Sequence, residues 1–198
     1  MIRLPFKKLS AWQQTAFCAA LIERMLPNYA MFSQATDFGD VALLRNQLNL
    51  VWQRLDKNQK VKINYDVQLE KLEEQVPNPE LFEFFGVFPA LDTCMAVHAL
   101  LQYLQTNDEE CIEQVSRLSA NSVSAYIELM LLEEMADEDD AVITEKDIAA
   151  DPLMIWEKEM QNAVFDLLQE SPENVKTIKE LKSMVLEQGL SNLGLEIH

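Results

Sequence analysis

Apolar positions recur at helical spacing along almost the whole chain. Val41, Leu44, Leu48, Val51 and Leu55 are spaced 3, 4, 3 and 4, which defines one buried stripe. Asp40 precedes this stripe as an N-cap, and Gly39 reads as the left-handed stop of the helix before it. Upstream, Ser10-x-x-Gln13 is a capping box that opens a helix over 11–26, which Pro27 stops. Asn28 then caps a short second helix that reaches about Asp37. Asn64 caps another, with Tyr65, Leu69, Leu72 and Val76 facing inward, and Pro77-Asn78-Pro79 breaks it.

Residues 89–105 are apolar on nearly every side, which marks a central helix packed all round. A further helix spans about 108–135. Asp151-Pro152 and Ser171-Pro172 each read as an N-cap followed by a first-turn proline. They open two helices, one with Leu153, Trp156, Met160, Val164, Leu167 and Leu168 inward, the other with Val175, Ile178, Leu181 and Val185 inward and Gly189 at its end. The stretch 136–150 has room for one extra turn near 144–149. Only Leu193, Leu195 and Ile197 alternate like a strand, and three residues are not a sheet. The expected fold is all-α: one compact domain over 1–198, about seven or eight helices in antiparallel, bundle-like packing around the central helix 89–105.

Composition excludes several classes. With 48% apolar residues, 4 Gly and 7 Pro, the 198-residue chain is neither disordered nor low-complexity. Its three cysteines, Cys18, Cys94 and Cys111, are odd in number and form no CxxC pair, so a reducing, cytoplasmic setting is expected. The apolar run 16–22 lacks a cleavage site and is followed at once by Glu23-Arg24, so it reads as a buried helix rather than a leader. No apolar run approaches the ~20 residues that span a bilayer, and no membrane association is expected.

The net charge is −17, with 16 Lys+Arg against 33 Asp+Glu, which argues against nucleic-acid binding. That charge is polarised. Residues 1–62 hold nine basic and four acidic residues, net +5; residues 63–198 hold seven and 29, net −22. The simplest expectation is that basic helices lie beside acidic ones. The alternative is a partner with a basic surface, or a homodimer joining basic and acidic ends.

Reactive chemistry is sparse. The two histidines, His98 and His198, form no Glu-x-x-His or His-Glu-x-x-His motif, and no metal site or cofactor is expected. Cys94 and His98, four apart, read as a buried thiol and a hydrogen-bonded histidine. Four glycines at 39, 86, 189 and 194 build no phosphate loop. Laid on an EF-hand loop, the run from Asp137 puts Val142 where glycine is required and Ile148 where the bidentate Glu belongs. Glu133, Glu134, Asp137, Glu138, Asp139 and Asp140 remain as an acidic interaction segment. Glu133 and Glu134 stand at a helix C-terminus, against the macrodipole, where a basic partner would offset the repulsion. Asp92 falls at the start of the most apolar helix, suited to its N-terminal dipole or to a buried arginine such as Arg24.

Several segments carry a family resemblance. The run 23–32 with Phe38-Gly39-Asp40, the run 64–71, Gly86-Val87-Phe88-Pro89-Ala90-Leu91-Asp92 and Ser191-Asn192-Leu193-Gly194 resemble, in the same order, the YjaG family of proteobacterial proteins. The resemblance implies an all-helical, cytoplasmic, single-domain protein with no known catalytic residues. It also implies, through genome context, an association with histidine-kinase signalling. The polar residues within or beside these segments, Glu23, Arg24, Tyr29, Asp66, Glu70 and Asp92, form the candidate polar cluster. They are either a structural network that fixes helix order or, in the enzyme or small-ligand reading, the lining of an inter-helix cavity. The leading expectation is a non-catalytic interaction or regulatory protein.

Overall fold

The computed structural model describes residues 2–135 and 142–196. Eight α-helices account for it: α1 (Ala11–Thr36), α2 (Val41–Leu55), α3 (Tyr65–Glu73), α4 (Val87–Thr106), α5 (Glu110–Glu134), α6 (Glu145–Ala150), α7 (Pro152–Glu170) and α8 (Val175–Leu186). Two single 3-10 turns accompany them, Phe6–Lys8 before α1 and Pro79–Leu81 between α3 and α4. The C-terminal 190–196 segment closes on itself through one isolated bridge between Leu190 and Glu196.

Local chemistry sets most of the boundaries. The Ser10/Gln13 capping box forms as expected, with both reciprocal bonds present. Asp40 accepts from the Ala42 and Leu43 amides, Asn64 from Val67 and Asp151 from Leu153. Thr144 and Asp147 make a second capping box that opens α6 where one extra turn was anticipated.

Two boundaries differ from the sequence reading. Pro27 does not stop the first helix, and Asn28 caps nothing; α1 runs through both to Thr36. A proline inside a helix removes one donor and displaces the carbonyls of the preceding turn. Two of those carbonyls are taken up from outside the helix. Arg24 O accepts from the Asn192 amide at 3.0 Å, and Met25 O lies 3.1 Å from the Thr93 hydroxyl, whose proton it shares with Pro89 O at 2.7 Å. Ser171 likewise ends α7 instead of opening α8, whose N-cap is Asn174, accepting from Lys176 and Thr177.

The centre is shared by two helices. α4 packs on α1 and α5, as a helix apolar all round must, and α1 also meets α2, α5, α7 and α8. From Gln14 to Leu26 every residue of α1 is buried. By length and composition α4 also meets the requirement for crossing a membrane, although most of it is buried inside this fold. The Leu44, Leu48, Val51 and Leu55 stripe of α2 faces the core as expected. On α7 the buried row is offset from the expected one. It comprises Met154, Glu157, Gln161, Val164, Phe165 and Leu168, so two polar side chains occupy its middle.

Candidate functional site

The polar interior is built where α1, α5, α7 and the C-terminal segment meet. Glu157 is fully buried, and its two oxygens accept from three donors. Arg24 Nη1 reaches Oε2 at 2.5 Å, while the Ser119 hydroxyl (2.6 Å) and Gln161 Nε2 (2.8 Å) reach Oε1. Gln161 is held in turn by Ser116, whose hydroxyl donates to its Oε1 at 2.6 Å. Asn192 donates to the Ser119 carbonyl at 3.1 Å and accepts from Asn28 Nδ2 at 2.7 Å. The Arg24 guanidinium also lies 4.4 Å from the Trp156 ring centre, a cation–π arrangement. Its Nε and Nη2, with Asn28 Oδ1, are buried without a hydrogen-bond partner among the described residues.

Burial of this kind is costly for a lone charge and tolerable for a charge that is paired and hydrogen-bonded. The network therefore fixes how α7 and the C-terminal segment seat on α1. Its hydrogen-bonded side chains are all buried.

The six residues of the candidate polar cluster do not form one site. No hydrogen bond or ion pair joins any two of them. Arg24 pairs with Glu157, not with Asp92. Glu23, its chain neighbour, faces elsewhere, accepting from Arg45 at 2.5 Å and Trp52 Nε1 at 2.7 Å, with Lys182 Nζ 4.0 Å away over the Trp52 ring. Burial lowers the Lys182 pKa there. Tyr29 is buried and donates to Gln75 O at 3.0 Å; burial pushes its hydroxyl well above the ordinary range. Asp66 is exposed and accepts from Gln105, and Glu70 is exposed.

Asp92 lies in the second turn of α4, half-buried, and accepts from the Ser122 hydroxyl at 2.8 Å; burial pushes its pKa up to about 6. Cys94 donates to Gln75 O at 3.4 Å, and burial pushes its thiol up to about 12, which leaves it unreactive. His98 is half-buried four residues on. Among the described residues no group of three or more His, Cys, Asp and Glu gathers to hold a metal. Of the acidic segment, Glu133 and Glu134 are exposed at the end of α5, while Asp137, Glu138, Asp139 and Asp140 lie outside the described residues.

Sequence reasoning missed Glu157, Gln161, Ser116, Ser119 and Asn192. One signal was present: Glu157, Gln161, Val164 and Leu168 are spaced 4, 3 and 4, so the two polar residues continue an apolar stripe. Two ion pairs join the basic first third to the acidic remainder in the expected sense, while Glu23 pairs with Arg45 inside the first third and with Lys182 in the opposite sense. Arg24 and Lys57, from the basic first third, pair with Glu157 and with Glu173 (2.9 Å) from the acidic remainder.

Fold and interior together define an all-helical protein stabilised by a buried polar network, with no converging catalytic constellation among the described residues. Residues 2–196 match the family described as protein of unknown function, DUF416. The chain belongs to that family. It is 36% identical over 198 residues to the Escherichia coli (strain K12) protein named Uncharacterized protein YjaG, covering 98% of this chain and 95% of that one. It is 34% identical over 195 residues to an uncharacterized protein of Haemophilus influenzae, covering 97% and 95%. The resemblance seen in the sequence is thereby borne out. The crystal structure of a DUF416 family protein from Shewanella baltica OS155 superposes with a TM-score of 0.85 at 37% identity, covering 98% of this chain and all of that one.

Proposed function

We propose that this chain is a non-catalytic interaction protein that docks a basic, apolar-anchored segment of a protein partner. The observation that carries this reading is an aromatic face where the first turn of α4 and the segment before it meet α5 through Phe85, with exposed apolar side chains on both. Leu81 is 75% exposed, Phe88 49%, Phe84 40% and Met130 39%. Phe85 links the two elements, its ring 6.0 Å from Phe88 and 6.1 Å from Tyr126. Met130 lies one turn beyond Tyr126, and Glu133 and Glu134 continue that line. Exposed Glu80 and Glu83 flank the loop side.

Apolar anchors rimmed by polar groups are the usual composition of a docking face. The two segments that carry the face hold carboxylates and no lysine or arginine, in 72–116 and in 118–135 alike. A basic partner complements that rim, whereas a second copy pairing through the same face would set like charges together.

The test uses a synthetic amphipathic Lys/Leu helical peptide and its Glu/Leu counterpart as probes, at physiological salt. Saturable binding of the basic peptide alone, weakened about tenfold by Phe88→Ser or Met130→Ser, supports the reading. Equal binding of both peptides, or unchanged binding by the variants, overturns it. So does a sedimentation dimer that Phe88→Ser dissolves, which would make a second copy the occupant.

A further inference from the structure

A cavity lies away from the aromatic face, on another side of α5. Its volume is about 650 Å³, within the range of small-molecule sites. The N-terminal segment, α5, α6 and α7 form its walls, and Leu4, Ile148 and Met154 supply apolar surface. Arg3, Arg117 and Lys158 also line it. These are three of only 16 basic residues in a chain of net charge −17.

None of the three cations has an ion-pair partner among the described residues, although acidic residues outnumber basic ones twofold. Glu113 and Glu145 also face the cavity, but both stand in the first turn of a helix, α5 and α6, where the macrodipole accounts for a carboxylate. Arg117 and Lys158 sit within α5 and α7, far from a C-terminal end that would favour them. Arg3 and Arg117 are exposed and Lys158 half-buried, so all three stand at the mouth of the cavity in contact with water, where an entering anion would meet them.

We propose that this cavity binds a small amphipathic anion, its acidic head held by Arg117, Lys158 and Arg3 and its apolar body laid against Leu4, Ile148 and Met154. The head is a carboxylate or a phosphate, since both accept several charge-assisted hydrogen bonds from such a set.

Calorimetric titration with decanoate, decyl phosphate and uncharged 1-decanol tests this. One saturable site for decanoate or decyl phosphate, at least tenfold tighter than for 1-decanol, is expected, and the tighter of the two identifies the head. Arg117→Gln and Lys158→Gln should each weaken that binding about tenfold, while Lys176→Gln on α8 leaves it unchanged. Ala120→Phe, which fills the cavity from its α5 wall without altering charge, should abolish it; circular dichroism confirms that each variant is folded. Equal affinity for 1-decanol, unchanged binding by both charge variants, or no saturable site for either anion overturns the proposal. Phe88→Ser should leave decanoate binding intact, so this site and the aromatic face succeed or fail separately.

Discussion

Arg24 Nη1 meets Glu157 Oε2 at 2.5 Å with both side chains fully buried, joining α1 to α7 across 133 residues of sequence. Each charge is tolerated in the interior because the other is present. Removing one strands its partner, at a cost of about 3–5 kcal/mol. Glu157→Ala also strands the Ser119 hydroxyl's donated bond and one from Gln161. We expect Glu157→Ala to lower urea-unfolding stability by that amount, and the double variant Arg24→Met/Glu157→Met to lose less than Glu157→Ala alone, because no charge is left buried.

Asn192 couples the C-terminal segment to the same network. Its side chain bonds Asn28 and Ser119, and its amide bonds Arg24 O. Asn192→Ala leaves Asn28 Nδ2 buried and unpaired and should cost about 1–3 kcal/mol. Since Ser119 also donates to Glu157, the Asn192→Ala and Glu157→Ala losses should fall short of additive in a double-mutant cycle. Equal and independent losses would mean that the two halves of the network do not communicate.

Two glycines separate backbone strain from steric conflict. Gly189 has φ +63° and open space where a Cβ would stand, so Gly189→Ala should cost only about 1 kcal/mol. Gly39 has φ +82°, and its Cβ would collide with the buried Tyr29 hydroxyl. That hydroxyl cannot swing aside without losing its bond to Gln75 O. Gly39→Ala should therefore lower Tm clearly more than Gly189→Ala.

What the sequence disclosed was local. The N-caps Ser10, Asp40, Asn64 and Asp151 were readable because each cap bonds an amide two or three residues away. The α2 stripe was readable because every residue in it obeys one period. Pro27 misled because the groups that relieve it, Thr93 and Asn192, are remote in sequence. The α7 face misled because apolarity favoured Trp156 and Met160, whereas burial followed the row of Glu157 and Gln161, whose partners Arg24, Ser116 and Ser119 lie on two other helices. Grouping Arg24, Tyr29, Asp66 and Asp92 into one site failed for the same reason. Polarity marks residues that need partners, but not which partners they find.

Asp92 gives the fold a defined pH dependence. Burial pushes its pKa up to about 6, and the Ser122 hydroxyl offsets only part of that rise. As pH climbs from about 4 to 6, the unfolded chain releases this proton before the folded one does. Stability therefore falls across that window and stays lower above it. A rise of this size corresponds to about 3 kcal/mol, and solvent at the half-exposed carboxyl reduces it to about 1–2 kcal/mol. Asp92→Asn keeps an oxygen acceptor for Ser122 and never ionises. At pH 8 it should unfold at higher urea than the wild type, by about 1–2 kcal/mol, and the gap should close as pH falls towards 4. A gap independent of pH would show that the gain comes from packing, not from the carboxyl's proton.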